Sequence, residues 1–332
     1  MSTSVFYLAI TLVSSVLFCG IYLRLARRWQ ILDVPNERSS HQRPTPKGGG
    51  LPLMLAFFLG LVLNFGDAIF LSSQYSVVLA GALFLTVLGV ADDRWNLSVR
   101  LRFFAYGLCC GVASMILLRG AVIDGAPPTV VLILATAFVL LWVSNLYNFM
   151  DGVDGLAASQ CFIACCGAAL LVWSTGGRAE YALVCLLLGF AHLGFLVWNW
   201  PAARLFMGDA GSIPTGFVLA ALAVLGAVQG DLAAACWLVL LAAFITDASW
   251  TLVGRIVTVQ NFTQGHRGHA YQRLSRQWGS HRSVVFLLIA IMGFWLFPLA
   301  WAIAMWPQHT ISLVILAYLP LLIGMAKIRN LA

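Results

Sequence analysis

Residues 128–173 read PTVVLILATAFVLLWVSNLYNFMDGVDGLAASQCFIACCGAALLVW, two uncharged apolar runs (128–147 and 155–173) on either side of a short polar turn. Each run is about 20 residues, the length at which an α-helix rising about 1.5 Å per residue crosses a hydrocarbon core of about 30 Å. Lipid offers no partner to an open backbone, so a helix is the economical reading of both runs. The polar turn then sits at a membrane surface.

The same unit recurs in both directions. Further apolar runs at 4–26, 49–66, 74–91, 101–118, 180–198, 211–229, 232–253, 283–304 and 309–326 bring the expected total to about eleven spans. The composition agrees: of 332 residues 61% are hydrophobic and 9% charged, with a mean hydropathy of +0.92. That is more apolar side chain than a soluble core of this length could hide. The fold class expected is an all-α polytopic membrane protein, a single transmembrane catalytic domain over 1–332. The first run has its basic residues (Arg24, Arg27, Arg28) after the apolar stretch, so it reads as a retained anchor. All eight cysteines fall inside apolar runs without a CxxC pair, which suits small packing residues.

Numbering the runs in order divides the connecting loops into two sets. All but Arg119 and Arg178 of the 19 Lys and Arg residues lie after odd-numbered runs or at the C-terminus. By the positive-inside rule these loops are cytoplasmic, with the N-terminus periplasmic and the C-terminus cytoplasmic. The expected active-site loops are then about 27–48, 92–100, 148–154, 199–210 and 255–282.

The acidic residues fall on the same side. Asp92 and Asp93 follow the third run, and adjacent carboxylates repel each other unless a cation compensates. After the fifth run, Asn145, Asn148, Asp151 and Asp154 recur every three residues, as if to share one helical face, with Gly152 and Gly155 interleaved. After the seventh come Asn199, Arg204, Phe206 and Asp209. Such oxygen ligands suit Mg²⁺, or Mn²⁺ in its place, held together with substrate phosphates. Opposite charge comes from Arg38, His41, Arg43 and Lys47 in one loop and from His266, Arg267, His269 and Arg273 in another. Arg and protonated His recognise phosphate oxygens; Arg273, Arg276 and Arg282 also suit a basic amphipathic helix lying on the membrane. Acids for a metal beside basic groups for a diphosphate point to phosphoryl transfer. A secondary transporter would gather its polar residues near the midplane, where only Asp247 and His192 are candidates. A non-catalytic lipid-binding scaffold would not need so many carboxylates.

The segments DVPNERSSHQRPTPKGGG, ADDRWN, NLYNFMDGVDG, FLVWNWPAARLFMGDAGS and HRGHAYQRL, in this order from Asp33 to Leu274, resemble the motifs of the polyprenyl-phosphate N-acetylaminosugar-1-phosphate transferases. The last motif, HRGHAYQRL, and Asn96 at a position where the muramoyl-pentapeptide branch has Lys resemble instead the O-antigen-initiating branch. The resemblance implies that Asn148 and Asp209 coordinate Mg²⁺ and that Asp92 and Asp93 lie beside a lipid phosphate. It implies that Asp154, Asn199 and Phe206 hold uridine and that His266 and Arg267 grip the diphosphate. Asp151 joins the catalytic group, and His269, Arg38, His41 and Lys47 the substrate-binding one. The implied partners are undecaprenyl phosphate, a UDP-N-acetylaminosugar and the lipids of a bacterial inner membrane, with the site facing the cytoplasm. No nucleic-acid partner is expected, and a homodimer is compatible with the sequence. Direct attack by the lipid phosphate and a covalent aspartyl-phosphate route both remain open at this point.

Overall fold

A computed structural model describes residues 2–35, 43–119, 121, 129–258 and 268–329, and 83% of these described residues are helical. The first apolar run forms α1 (Ser2–Arg28). A two-residue antiparallel ladder of β1 (Leu32–Asp33) and β2 (Thr45–Pro46) follows, then α2 (Gly50–Phe65), the short α3 (Ala68–Leu71) and α4 (Ser73–Trp95). The two runs quoted first are α6 (Val130–Met150) and α7 (Leu156–Thr175), with α5 (Val99–Leu117) before them and α8 (Ala179–Asn199) and α9 (Asp209–Gln229) after. The chain closes with α10 (Ala234–Leu240), α11 (Ala242–Val257), α12 (Ala270–Trp278), α13 (His281–Ile291), α14 (Phe297–Met305) and α15 (Thr310–Arg329). A π-helical turn at Met292–Leu296 joins α13 to α14.

Helices α5, α6 and α13 each begin at a side-chain acceptor for an otherwise orphaned N–H group. Ser98 Oγ accepts from Leu101, Thr129 Oγ1 from Leu132 and Ser280 Oγ from Ser283. Among the described residues, nine helices are long and apolar enough to cross a membrane, or ten if α10 and α11 count as one span. The chain is therefore an integral membrane protein, and each of the eleven expected runs is helical. Two depart from expectation. Helix α2 has only 16 residues, about 24 Å at 1.5 Å per residue and short of the hydrocarbon thickness. The run at 232–253, which reads as one span, breaks at Leu241 into α10 and α11, which differ in direction by 72°. No proline or glycine marks that break.

Helices α7, α8 and α9 form the centre: 72%, 67% and 78% of their apolar windows are buried, against 6% for the last span, Pro307–Ile328. Helix α9 packs on α4 and α6, and α8 on α1 and α7. Close approach rests on missing side chains, as membrane helix packing favours. A Cβ on Gly50 of α2 would lie 2.1 Å from the backbone N of Gly211, and one on Gly89 of α4 would lie 2.5 Å from the backbone of Asp209 and Ala210. The first turn of α9 is thus clasped between α2 and α4. The eight cysteines are free and at least partly buried, as packing residues should be. His192 is buried between Leu188 O and Thr215 Oγ1, at 2.9 and 3.0 Å, a packed polar contact between α8 and α9.

Candidate active site

The clasped first turn of α9 is where the acidic motifs meet. Gly208, at φ +72°, turns the chain into the helix and supplies no cap of its own. The acceptor comes from another helix: Asp93 Oδ2, near the end of α4, takes the Ala210 N–H at 3.4 Å. Lys47 Nζ lies 3.7 Å from the other oxygen of Asp93. Asp209, the first residue of α9, accepts from Asn148 Nδ2 at 2.9 Å, and the same amide reaches Ser212 Oγ at 2.8 Å. Arg102 Nη1, from the first turn of α5, donates to Asp92 Oδ2 at 2.5 Å and to Asp209 Oδ2 at 3.4 Å. Asp92, Asp93, Asn148 and Asp209, which come from three separate motifs, therefore form one connected group with Arg102 and Lys47.

Arg102 and Ser212 were not among the residues singled out from sequence. Arg102 reads in the sequence only as a basic flank of the fourth run. The turn between α4 and α5 explains the choice of Arg102. Asp92 Oδ1 accepts the Leu97 N–H at 2.8 Å, while Asn96 takes a left-handed conformation at φ +49° as the C-cap of α4. Asn accepts that conformation more readily than most residues, so Asn96 is a turn residue that brings α5 back toward Asp92.

The expected stripe of four residues is split. Asn145 turns back to Leu141 O on its own helix, α6 ends at Met150, and Asp151 caps it while Asp154 faces elsewhere. Asp151 is half-buried; burial and then the negative charges of Asp209, Asp93 and Asp154 push its carboxyl well above the ordinary range. Ionising it therefore opposes folding. Stability from the neutral form is present at low pH and lost as pH rises from the ordinary value of about 4 through the raised one. Asp151→Asn stays neutral, so in metal-free detergent it should melt above the wild type, with the gap widening as pH rises from about 4. A melting difference that does not change with pH would contradict this.

Asp154 belongs to a neighbouring cleft of about 490 Å³, lined also by Arg43, Phe206 and the start of α13. Its Oδ2 accepts the Ala203 N–H at 3.0 Å and lies 3.1 Å from His281 Nδ1. Phe206 holds its wall position by backbone bonds to Pro46 and Gly49, each 2.8 Å. Asn199 is placed differently: it is 3% exposed, and its amide joins Gly155 N (2.9 Å) to Leu205 O (2.9 Å). In this arrangement it organises the walls on either side of the cleft.

His269 is buried beside the site rather than open to it. Its Nδ1 lies 3.2 Å from Asp247 Oδ1, and Asp247 also accepts the N–H groups of Ala270 and Tyr271, each at 3.0 Å. Asp247, which read as an ambiguous intramembrane acid, is the anchor of α12, and the bend after α10 belongs to the helix that carries it. Tyr271 Oη then donates to Phe149 O at 2.8 Å, tying the last motif to the residue after Asn148. Arg38, His41, His266 and Arg267 lie outside the described residues.

Chemically, the group around Asp209 offers carboxylate oxygens beside the positive charges of Arg102 and Lys47, with the Asn148 amide against Asp209. Among the described residues no three His, Cys, Asp or Glu side chains converge as a preformed metal cage. The donor chemistry nonetheless fits a hard divalent cation, and the Arg102 guanidinium between Asp92 and Asp209 marks a place where these acids already gather around positive charge.

Residues 75–227 match the model of glycosyl transferase family 4. The chain is 31% identical over 333 residues to a decaprenyl-phosphate N-acetylglucosaminephosphotransferase of Mycobacterium tuberculosis, covering 88% of this chain and 80% of the relative. It is 29% identical to the Bacillus subtilis protein named probable undecaprenyl-phosphate N-acetylglucosaminyl 1-phosphate transferase, over 86% of this chain and 80% of that one. A phospho-N-acetylmuramoyl-pentapeptide-transferase of Shouchella clausii is 29% identical, over 88% of this chain and 96% of its own.

Proposed function

The chain belongs to the polyprenyl-phosphate aminosugar-1-phosphate transferases of glycosyl transferase family 4, and from that premise we propose that it moves an N-acetylaminosugar-1-phosphate from a UDP-sugar to undecaprenyl phosphate. The products are undecaprenyl-diphosphate-sugar and UMP, and the step initiates O-antigen or a related surface glycan. It takes place in a bacterial inner membrane, with the site facing the cytoplasm, where the basic loops belong. The observation that carries this reading is the connected group of Asp92, Asp93, Asn148 and Asp209 with Arg102 and Lys47 at one end of the bundle. Acids for a metal lie there beside cations for phosphate.

Asn148 and Asp209 would hold Mg²⁺. When bound, it would supply neutralisation of the diphosphate charge as the bond breaks. Arg102 and Lys47 bring fixed positive charge to the same place, and Asp92 and Asp93 hold those cations in position. An oxygen of the lipid phosphate forms a new bond to the sugar-linked phosphorus. The bond from that phosphorus to the bridging oxygen breaks, and the oxygen leaves with its electron pair on UMP. A phosphate monoester has a second pKa of about 6, so the acceptor is largely dianionic at neutral pH and neither Asp92 nor Asp93 has to leave its cation to take a proton.

The test is UMP release by the purified protein in detergent with undecaprenyl phosphate, Mg²⁺ and a panel of UDP-N-acetylaminosugars. Release is expected with one or more sugars, to stop on chelation and to return with added Mg²⁺. Silence across the panel in well-folded protein would overturn the reading.

A further inference from the structure

The first turn of α13 has no part in the motifs or in the chemistry above, yet it forms one wall of the cleft beside the acidic group. Arg43, Asp154, Phe206, His281 and Arg282 come from four separate stretches of chain to enclose that cleft of about 490 Å³. His281 Nδ1 lies 3.1 Å from Asp154 Oδ2, and the same oxygen takes the Ala203 N–H at 3.0 Å. Arg282 Nε donates to Pro201 O at 2.8 Å, so two consecutive residues of α13 grip the acid and the turn opposite it. Both side chains of the His281–Asp154 pair are mostly shielded, 18% and 12% exposed. A carboxylate with one oxygen tied twice to protein keeps a fixed plane, which leaves its other oxygen to accept a ligand donor.

We propose that His281 is a positioning residue for the nucleotide: it fixes the Asp154 carboxylate in the orientation that receives a ring N–H of the base, while Arg282 holds the Pro201–Ala203 turn against it. The inference rests on the reading of the chain as a nucleotide-sugar transferase, and it adds α13 to the nucleotide pocket. Losing the contact frees the carboxylate to rotate, weakening ground-state and transition-state binding alike. The effect therefore falls on KM.

In the full-length protein in detergent, His281→Ala should raise KM for the UDP-sugar about tenfold, the scale of one hydrogen bond to a charged group. The kcat and the KM for undecaprenyl phosphate should stay within about twofold. UMP affinity by calorimetry should fall in parallel with the rise in KM. His281→Asn, whose amide N–H can stand near the position of Nδ1, should recover most of the loss. In an Asp154→Asn background His281→Ala should add little, because the two act as one unit. An active wild type whose His281→Ala variant keeps its KM and UMP affinity would overturn this inference alone. So would a loss confined to kcat and melting temperature, or one that His281→Asn does not relieve. A wild type that neither binds nor releases UMP would overturn the parent reading, and this one with it.

Discussion

Asp209→Asn should lower UMP release by about 10²- to 10³-fold, the range seen when one preorganised electrostatic partner is removed from a reacting site, with the bundle still folded. The amide matches the carboxylate in size, and Asn is well tolerated at a helix start, so α9 keeps its first turn. What disappears is the negative charge that draws Asn148 and Arg102 together and that a divalent cation would meet. Turnover and melting temperature measured on the same detergent preparation separate the two effects. A variant with near-normal melting that kept about a tenth or more of wild-type turnover would remove Asp209 from the central role given to it here.

Gly50→Ala should damage the protein in a different way. The added methyl would sit 2.1 Å from Gly211 N and 2.3 Å from its Cα, and backbone atoms cannot rotate away as a side-chain tip can. Helices α2 and α9 must part, and the Gly50 N–H bond to Met207 O (2.8 Å) goes with them. Overpacking of this kind typically costs about 1–3 kcal/mol, occasionally more. The displaced turn carries Asp209, and a shift of about 1 Å in a reacting group is enough to lose about 100-fold in rate. A clear drop in melting temperature with at least that loss of UMP release is expected. Gly107→Ala is the control, because a methyl there meets nothing within 4 Å and Ala favours a helix interior over Gly by about 1 kcal/mol. If Gly50→Ala behaved like Gly107→Ala, the clasp would have no mechanical role.

Much of this could be read along the chain. Apolar runs of membrane length, basic residues confined to one set of loops and acids beside them place the helices and bring Asp92, Asp93, Asn148, Asp151 and Asp209 to one end. Information that depends on partners far along the chain was not legible. Arg102 looks like any membrane-flanking arginine until the left-handed turn at Asn96 swings α5 back toward Asp92. The break at Leu241 carries no helix-breaking residue, and its companion is the anchoring of α12 by Asp247 across more than twenty residues. That α7, α8 and α9 lie at the centre could not be seen either, because apolar surfaces facing lipid and facing protein have the same composition. Asn199 had the right company for a ligand contact, but both ends of its amide find backbone partners within the fold.

Helix α9 borrows its N-terminal acceptor from Asp93, a residue more than a hundred positions earlier, which also pairs with Lys47 and stands close against Gly208. One side chain therefore serves as helix terminator, counter-ion and neighbour of the reacting groups. A screen that scores variants by lost UMP release would place Asp93 beside Asp209 for a different reason, since its removal unsettles the start of the helix that carries Asp209. Substitutions at positions 47, 93 and 208 should be strongly non-additive. For a lineage drifting under selection, these three positions would change together or not at all.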